Sequence, residues 1–157
     1  MSDQDKSKIL NIPQNEIDEI LFQALRAIYQ FERTKVAKFE LTYEAVYLMQ
    51  FLQRNAPTRM GDVAAEMKLP ISTLTRIVDR LQKKGLVDRE KDKTDRRSIL
   101  LYLKPAGTKI VQDTEAHTFE ILIKNLESYS NEQKESFIQA AVNLDILLNS
   151  SDKEPSI

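Results

Sequence analysis

The stretch from Thr58 to Leu103 constrains this chain more than any other. Val63, Ala64 and Met67 recur at helical spacing behind Thr58, a residue that can cap a helix, so a short helix is predicted from Arg59 to Lys68. Leu69-Pro70 breaks it, because proline lacks the backbone donor a helix needs. Ser72 offers the next cap, and Leu74, Ile77, Val78 and Leu81 form the apolar face of a third helix. Lys83 and Lys84 sit in its last turn, where the helix dipole favours cations, and Gly85 follows where a left-handed residue ends a helix. Leu86 to Glu90 and Ser98 to Leu103 read as strands around the polar run Lys91-Asp92-Lys93-Thr94-Asp95-Arg96-Arg97, which makes a β-hairpin.

Two helices across a tight turn, followed by a hairpin, are a winged helix-turn-helix. On its N-terminal side, Ile17, Ile20, Leu21, Leu25 and Ile28 mark an amphipathic helix from Pro13 to about Ala37. Thr42 caps a second helix that ends at Asn55-Ala56-Pro57. On the C-terminal side, Pro105 fits the first turn of a long helix to about Glu127. Ser130 and Gln133 then form a capping box for a last helix through Leu148. Only three glycines occur in 157 residues, too few for a turn-rich all-β chain. The fold class is therefore mainly α with a small β-hairpin. Residues 38–104 form the winged helix-turn-helix domain, and the polar ends 1–12 and 150–157 are read as flexible.

Net charge is −1, which by itself argues against a nucleic-acid partner. The distribution reverses that argument. Ile71 to Lys104 holds ten basic and five acidic residues, a net of +5, and the remainder holds thirteen basic and nineteen acidic, a net of −6. A basic block in an acidic frame is suited to meet a polyanion such as double-stranded DNA. The third helix is narrow enough for a major groove, and its outer face carries Ser72, Thr73, Thr75, Arg76 and Arg80. Arg76 can bond guanine bidentately or bond a phosphate. Arg80 can serve DNA or form a surface pair with Asp79. Arg96 and Arg97 stand near the wing tip, where an arginine can enter a narrow minor groove, and Asp95 can hold a guanidinium in a fixed fork. Lys91, Asp92 and Lys93 are read equally well as a solvated face.

Other chemistries find little support. Without cysteine there is no disulfide framework, thiol nucleophile or thiol redox sensor. The single histidine, His117, gives no ligand set for zinc and no base beside a nucleophile, so no catalytic residue, metal site or cofactor is expected. No apolar run approaches the roughly 20 residues of a membrane helix, and the acidic N-terminal stretch does not resemble a signal peptide, so a soluble, cytoplasmic chain is expected. The rival to a DNA reader is a winged helix used as a protein-interaction module. Such modules lack a basic recognition face.

The run Leu74-Thr75-Arg76-Ile77-Val78-Asp79-Arg80-Leu81-Gln82-Lys83-Lys84-Gly85-Leu86-Val87, followed by Asp95-Arg96-Arg97-Ser98, resembles the signature of MarR-family bacterial transcriptional regulators. Gly61-Asp62-Val63-Ala64 and Leu103-Lys104-Pro105-Ala106-Gly107 resemble the family's sequences at the first helix of the pair and at the junction into the fifth helix. The resemblance implies a homodimer, with residues 13–37 and 105–149 as dimerisation helices, bound to a pseudo-palindromic operator. It favours repression. It implies that Arg97 enters the minor groove with Asp95 as its orienting acid. It also implies release by a small aromatic or phenolic effector, for which Tyr29, Tyr43 and Tyr47 are candidate lining residues.

Overall fold

The computed structural model describes residues 12–148; the two ends read as flexible lie outside them, except for Ile12. The element order is α1 (Gln14–Lys38), α2 (Tyr43–Asn55), β1 (Thr58–Arg59), α3 (Met60–Glu66), α4 (Ile71–Lys83), β2 (Val87–Lys91), β3 (Ile99–Leu103), α5 (Pro105–Leu126), α6 (Asn131–Val142) and α7 (Leu144–Leu148). The chain divides into two compact units between His117 and Thr118.

The first unit is a winged helix-turn-helix built on one core. Leu48, Met49 and Leu52 of α2, Val63 of α3, and Leu74, Val78 and Leu81 of α4 are all essentially inaccessible to solvent. Val87 and Leu101 close the core from the strands and Val111 from α5. Burying each leucine contributes about 1.5–3 kcal/mol, so this cluster holds the helix pair and the wing base as one body. The predicted apolar face of α4 is the buried one, with Ile77 packed at its margin. Thr42 caps α2 by accepting from the Ala45 N–H at 3.3 Å.

Three helices end in the same way. After α4, Gly85 adopts φ 71°, its N–H donates to the Gln82 carbonyl, and the Leu86 N–H donates to the Leu81 carbonyl. This paired closure needs a left-handed residue, as predicted from Gly85. Glu40 (φ 54°) and Lys68 (φ 50°) do the same work after α1 and α3 without being glycine. Gly107 is required for a different reason: a Cβ there would lie 2.1 Å from the Leu86 carbonyl oxygen, so α5 starts directly against backbone.

Four local expectations are corrected. Thr58 does not cap a helix; with Arg59 it forms a short strand whose Thr58 pairs with Leu101, and Arg59 takes the capping position without a side-chain bond. The predicted hairpin is therefore part of a three-stranded antiparallel sheet, ordered β1-β3-β2. Ser72 is not the cap of α4 but lies inside its first turn, because Pro70, with φ −58°, already sets the entry. The predicted last helix is interrupted at Asn143, which caps α6 before α7 begins.

The second unit holds the remainder of α5 with α6 and α7. The predicted capping box is present: the Gln133 N–H donates to Ser130 Oγ at 3.3 Å, and Gln133 Oε1 accepts from the Ser130 N–H at 3.0 Å. Tyr129 meets Phe137 edge-on, with centroids 5.2 Å apart. No residue of α6 is buried.

Candidate nucleic-acid interface

The apolar face of α4 is buried, so its opposite face is presented outward. Ser72, Thr73, Arg76 and Arg80 are exposed, and Thr75 is half-buried. The Thr75 hydroxyl donates to the Ile71 carbonyl at 2.8 Å, which leaves its oxygen as an acceptor toward a partner. Asp79 accepts from Arg89 of β2 at 2.9 Å and not from the adjacent Arg80. Gln82 donates to Asp88 at 2.9 Å, so α4 is tied to β2 at two points. The Arg89 N–H and Gln82 hold the Asp88 carboxyl below its ordinary value.

The wing tip is organised by two aspartates. Asp92 Oδ1 accepts from the Thr94 hydroxyl at 2.7 Å and the Thr94 N–H at 2.8 Å. Its Oδ2 accepts from Arg59 at 3.2 Å. These donors, led by the Thr94 hydroxyl, bring the Asp92 carboxyl down to about 2 against desolvation. Asp95 repeats the pattern one turn later, accepting from the Ser98 hydroxyl at 2.7 Å and the Arg97 N–H at 3.1 Å. Those two bonds lower its carboxyl as well. Asp95 thus grips the main chain of Arg97, where a fork to its guanidinium was expected. Arg96 and Arg97 are exposed, and among the described residues no ion pair engages either guanidinium.

Reading Lys91, Asp92 and Lys93 as one solvated face does not survive for the middle residue. Lys91 and Lys93 are exposed, but Asp92 is only 8% exposed. Arg59 was missed altogether, since in sequence it reads as an ordinary first residue of a helix.

The candidate effector residues fall on two clefts of the first unit. Tyr29 and Tyr43 line one of about 440 Å³, with Leu25, Ile28, Arg33 and Val36. Tyr43 and Tyr47 line another of about 340 Å³ with Glu66 and Met67. The Tyr47 hydroxyl donates to Glu66 at 2.8 Å, and this bond raises its pKa. His117 Nδ1 lies 3.3 Å from Lys38 Nζ. Among the described residues there is no cluster of three metal-ligating side chains, and no helix is long and apolar enough to cross a membrane.

Known proteins resemble this chain both in this region and along most of its length. The family model of the MarR family matches residues 39–98. The uncharacterized HTH-type transcriptional regulator YsmB of Bacillus subtilis is 30% identical over 82% of this chain and 88% of its own length. A MarR family protein from Bacillus stearothermophilus superposes with a TM-score of 0.77 at 24% identity, covering 87% of this chain and 95% of that one. Streptococcus pneumoniae FabT, solved in complex with DNA, superposes with a TM-score of 0.73 at 18% identity, covering 85% and 96%. With its winged helix-turn-helix core, its family match and a relative aligned along most of both chains, this chain belongs to the MarR family of transcriptional regulators.

Proposed function

We propose that the protein is a sequence-specific reader of double-stranded DNA that acts as a homodimeric repressor in the bacterial cytoplasm. The observation that carries this reading is the pairing of two outward groups on one compact unit. Arg76 and Arg80 stand on the free face of α4, and Arg96 and Arg97 stand on a tip whose backbone is already fixed. In this reading Ser72, Thr73 and Thr75 allow close approach in the major groove, and Arg97 enters the minor groove. FabT was solved with DNA bound, which supports the same partner for this chain.

The dimer rests on apolar surface that the chain leaves uncovered. On α1, Ile20, Leu21, Phe22, Leu25 and Ile28 are 45–65% exposed. Ile138, Val142, Ile146 and Leu147 of α6 and α7 are 57–77% exposed. Patches of this kind are typical of obligate interfaces, so residues 13–37 and 105–149 are assigned to dimerisation. A two-fold dimer presents two α4 helices to successive major grooves, about 34 Å apart, and its operator is a pseudo-palindrome.

Release by a small aromatic or phenolic compound is the regulatory part of the proposal. The cleft holding Tyr29 and Tyr43 has the size of a small-ligand site, and Arg33 offers one cation to an acidic phenol. A compound that binds better to the DNA-free arrangement shifts the population away from DNA.

Selection of duplexes from a random pool by the full chain tests the core of this reading. The expected outcome is enrichment of one pseudo-palindrome at physiological salt. Binding of all duplexes with equal affinity would remove the sequence-reading function. Light scattering of a variant truncated after His117, which keeps the core residue Val111, tests the dimer, which is expected to be lost with the domain still folded by circular dichroism; a dimer that persists would place the interface elsewhere.

A further inference from the structure

We propose that Arg59 is a positioning residue for the wing, which, through Asp92, fixes the tip loop carrying Arg97 against the helix-turn-helix. The proposal rests on the DNA-reading function above.

The two carboxylate oxygens of Asp92 have separate partners. Oδ1 takes the Thr94 hydroxyl and N–H and lies 3.4 Å from the Asp95 N–H. All three donors belong to the loop itself, so this oxygen shapes the loop wherever the loop stands. Oδ2 takes Arg59 Nη2 at 3.2 Å. That donor comes from another strand, so this oxygen attaches the loop.

The sheet register shows why an attachment matters. Arg59 is paired with Leu100, and Leu100 with Glu90, so the Arg59 side chain crosses β3 to reach Asp92. Beyond Leu100 the sheet has only two strands, β2 and β3, and a two-stranded ribbon is marginally stable by itself. Among the described residues, Arg59 supplies the side-chain hydrogen bond between the tip loop and the helix-turn-helix. Arg59 is also the residue on which α3 begins, so it moves with the helix pair. The bond therefore joins the tip to the element that carries α4. A tip ordered in advance loses less conformational freedom on docking, and an arginine entering a narrow groove needs that placement.

The pair is not a strong contributor to folding. The Arg59 side chain is 50% exposed, and half-exposed ion pairs add little to stability. The effect of breaking it should fall on DNA binding and leave global stability nearly unchanged. The rival role for Arg59 is direct contact with a phosphate, and it has a different signature: loss of one phosphate contact lowers the salt slope by about one unit.

The experiment uses the full chain and the duplex it enriches, with Arg59→Met, Asp92→Asn, the double variant and Arg59→Lys. Amide hydrogen exchange of Thr94 to Ser98 is followed in the free protein. Affinity, its salt dependence and hydroxyl-radical footprints are followed on the duplex. Arg59→Met should speed exchange at the tip severalfold with α4 unchanged. It should weaken binding roughly tenfold and fade the minor-groove footprint, with the salt slope retained. The double variant should bind no worse than the weaker single, and Arg59→Lys should recover part of the loss. Unchanged tip exchange, or a faster tip with unchanged affinity, overturns the proposal. So do additive losses with a reduced slope, which would make Arg59 a phosphate contact. If the wild type enriches no duplex, the DNA-reading function fails first and this role fails with it, whatever the exchange data show about the tip.

Discussion

Asp79 Oδ1 accepts from Arg89 Nη2 at 2.9 Å, so the only acidic residue of α4 is engaged by the wing strand and Arg80 beside it is left to solvent. Arg80→Ala should therefore weaken DNA binding and reduce the slope of log affinity against log salt by about one unit. Arg89→Ala should change both much less, because its charge is already paired. Fluorescence anisotropy across a salt series reads both; an unchanged slope for Arg80→Ala would remove it from the phosphate contacts.

Arg97→Ala should weaken binding to the preferred duplex by roughly tenfold or more, since a minor-groove arginine reads both charge and groove width. Arg76→Ala should cost about 1–3 kcal/mol and relax the base preference at one position if it reads a base edge. A loss equal on all duplexes would assign Arg76 to a phosphate. Competition between matched and single-substituted duplexes separates these outcomes.

The Asp92 carboxyl is held down to about 2 by Thr94, with smaller help from Asp95 and Arg59. A folded value below the unfolded one of about 3.9 stabilises the ionised wing at every pH above that unfolded value. The contribution is lost as pH falls from about 4 through about 2. Carboxyl titration by NMR should show Asp92 protonating well below the exposed acids, with the Thr94 amide shifting in step. A midpoint near 4 would mean that the Thr94 bonds do not persist in solution.

Two backbone substitutions should act in opposite directions. Lys68→Gly relieves a left-handed side chain after α3 and should stabilise by about 0.5–1 kcal/mol, net of glycine's own entropy. Gly107→Ala drives a methyl group into the Leu86 carbonyl and should destabilise by about 1–3 kcal/mol. Thermal unfolding at matched protein concentration checks both, since the midpoint of an oligomer depends on concentration.

The parts of this fold legible in the sequence were those with a period or a special residue. The α4 face repeats Leu74, Ile77, Val78 and Leu81, and Gly85 marks where it stops. β1 has only two residues, shows no alternation, and begins with a threonine that looks like a cap; only pairing with Leu101 makes it a strand. The same holds for Arg59, whose partner lies 33 residues away across the sheet register. Asp95 was recognisable as a wing residue, but its acceptors are taken by Arg97 N–H and Ser98 Oγ, contacts that follow from loop closure and not from residue type. The helix break at Asn143 carried no proline or glycine to announce it.

β2 lies at the edge of the sheet, and from Asp88 to Lys93 every residue is charged, with the sign alternating along the chain. An open edge normally invites a strand from a second molecule, which is how many β proteins aggregate or swap segments. Asp88, Arg89 and Asp92 are engaged within the chain, but a strand laid along this edge must still accommodate the exposed charges of Glu90, Lys91 and Lys93, so the wing resists being extended into a shared sheet. In the dimer proposed above, which forms through the helices, such an edge would leave the two wings separate and available.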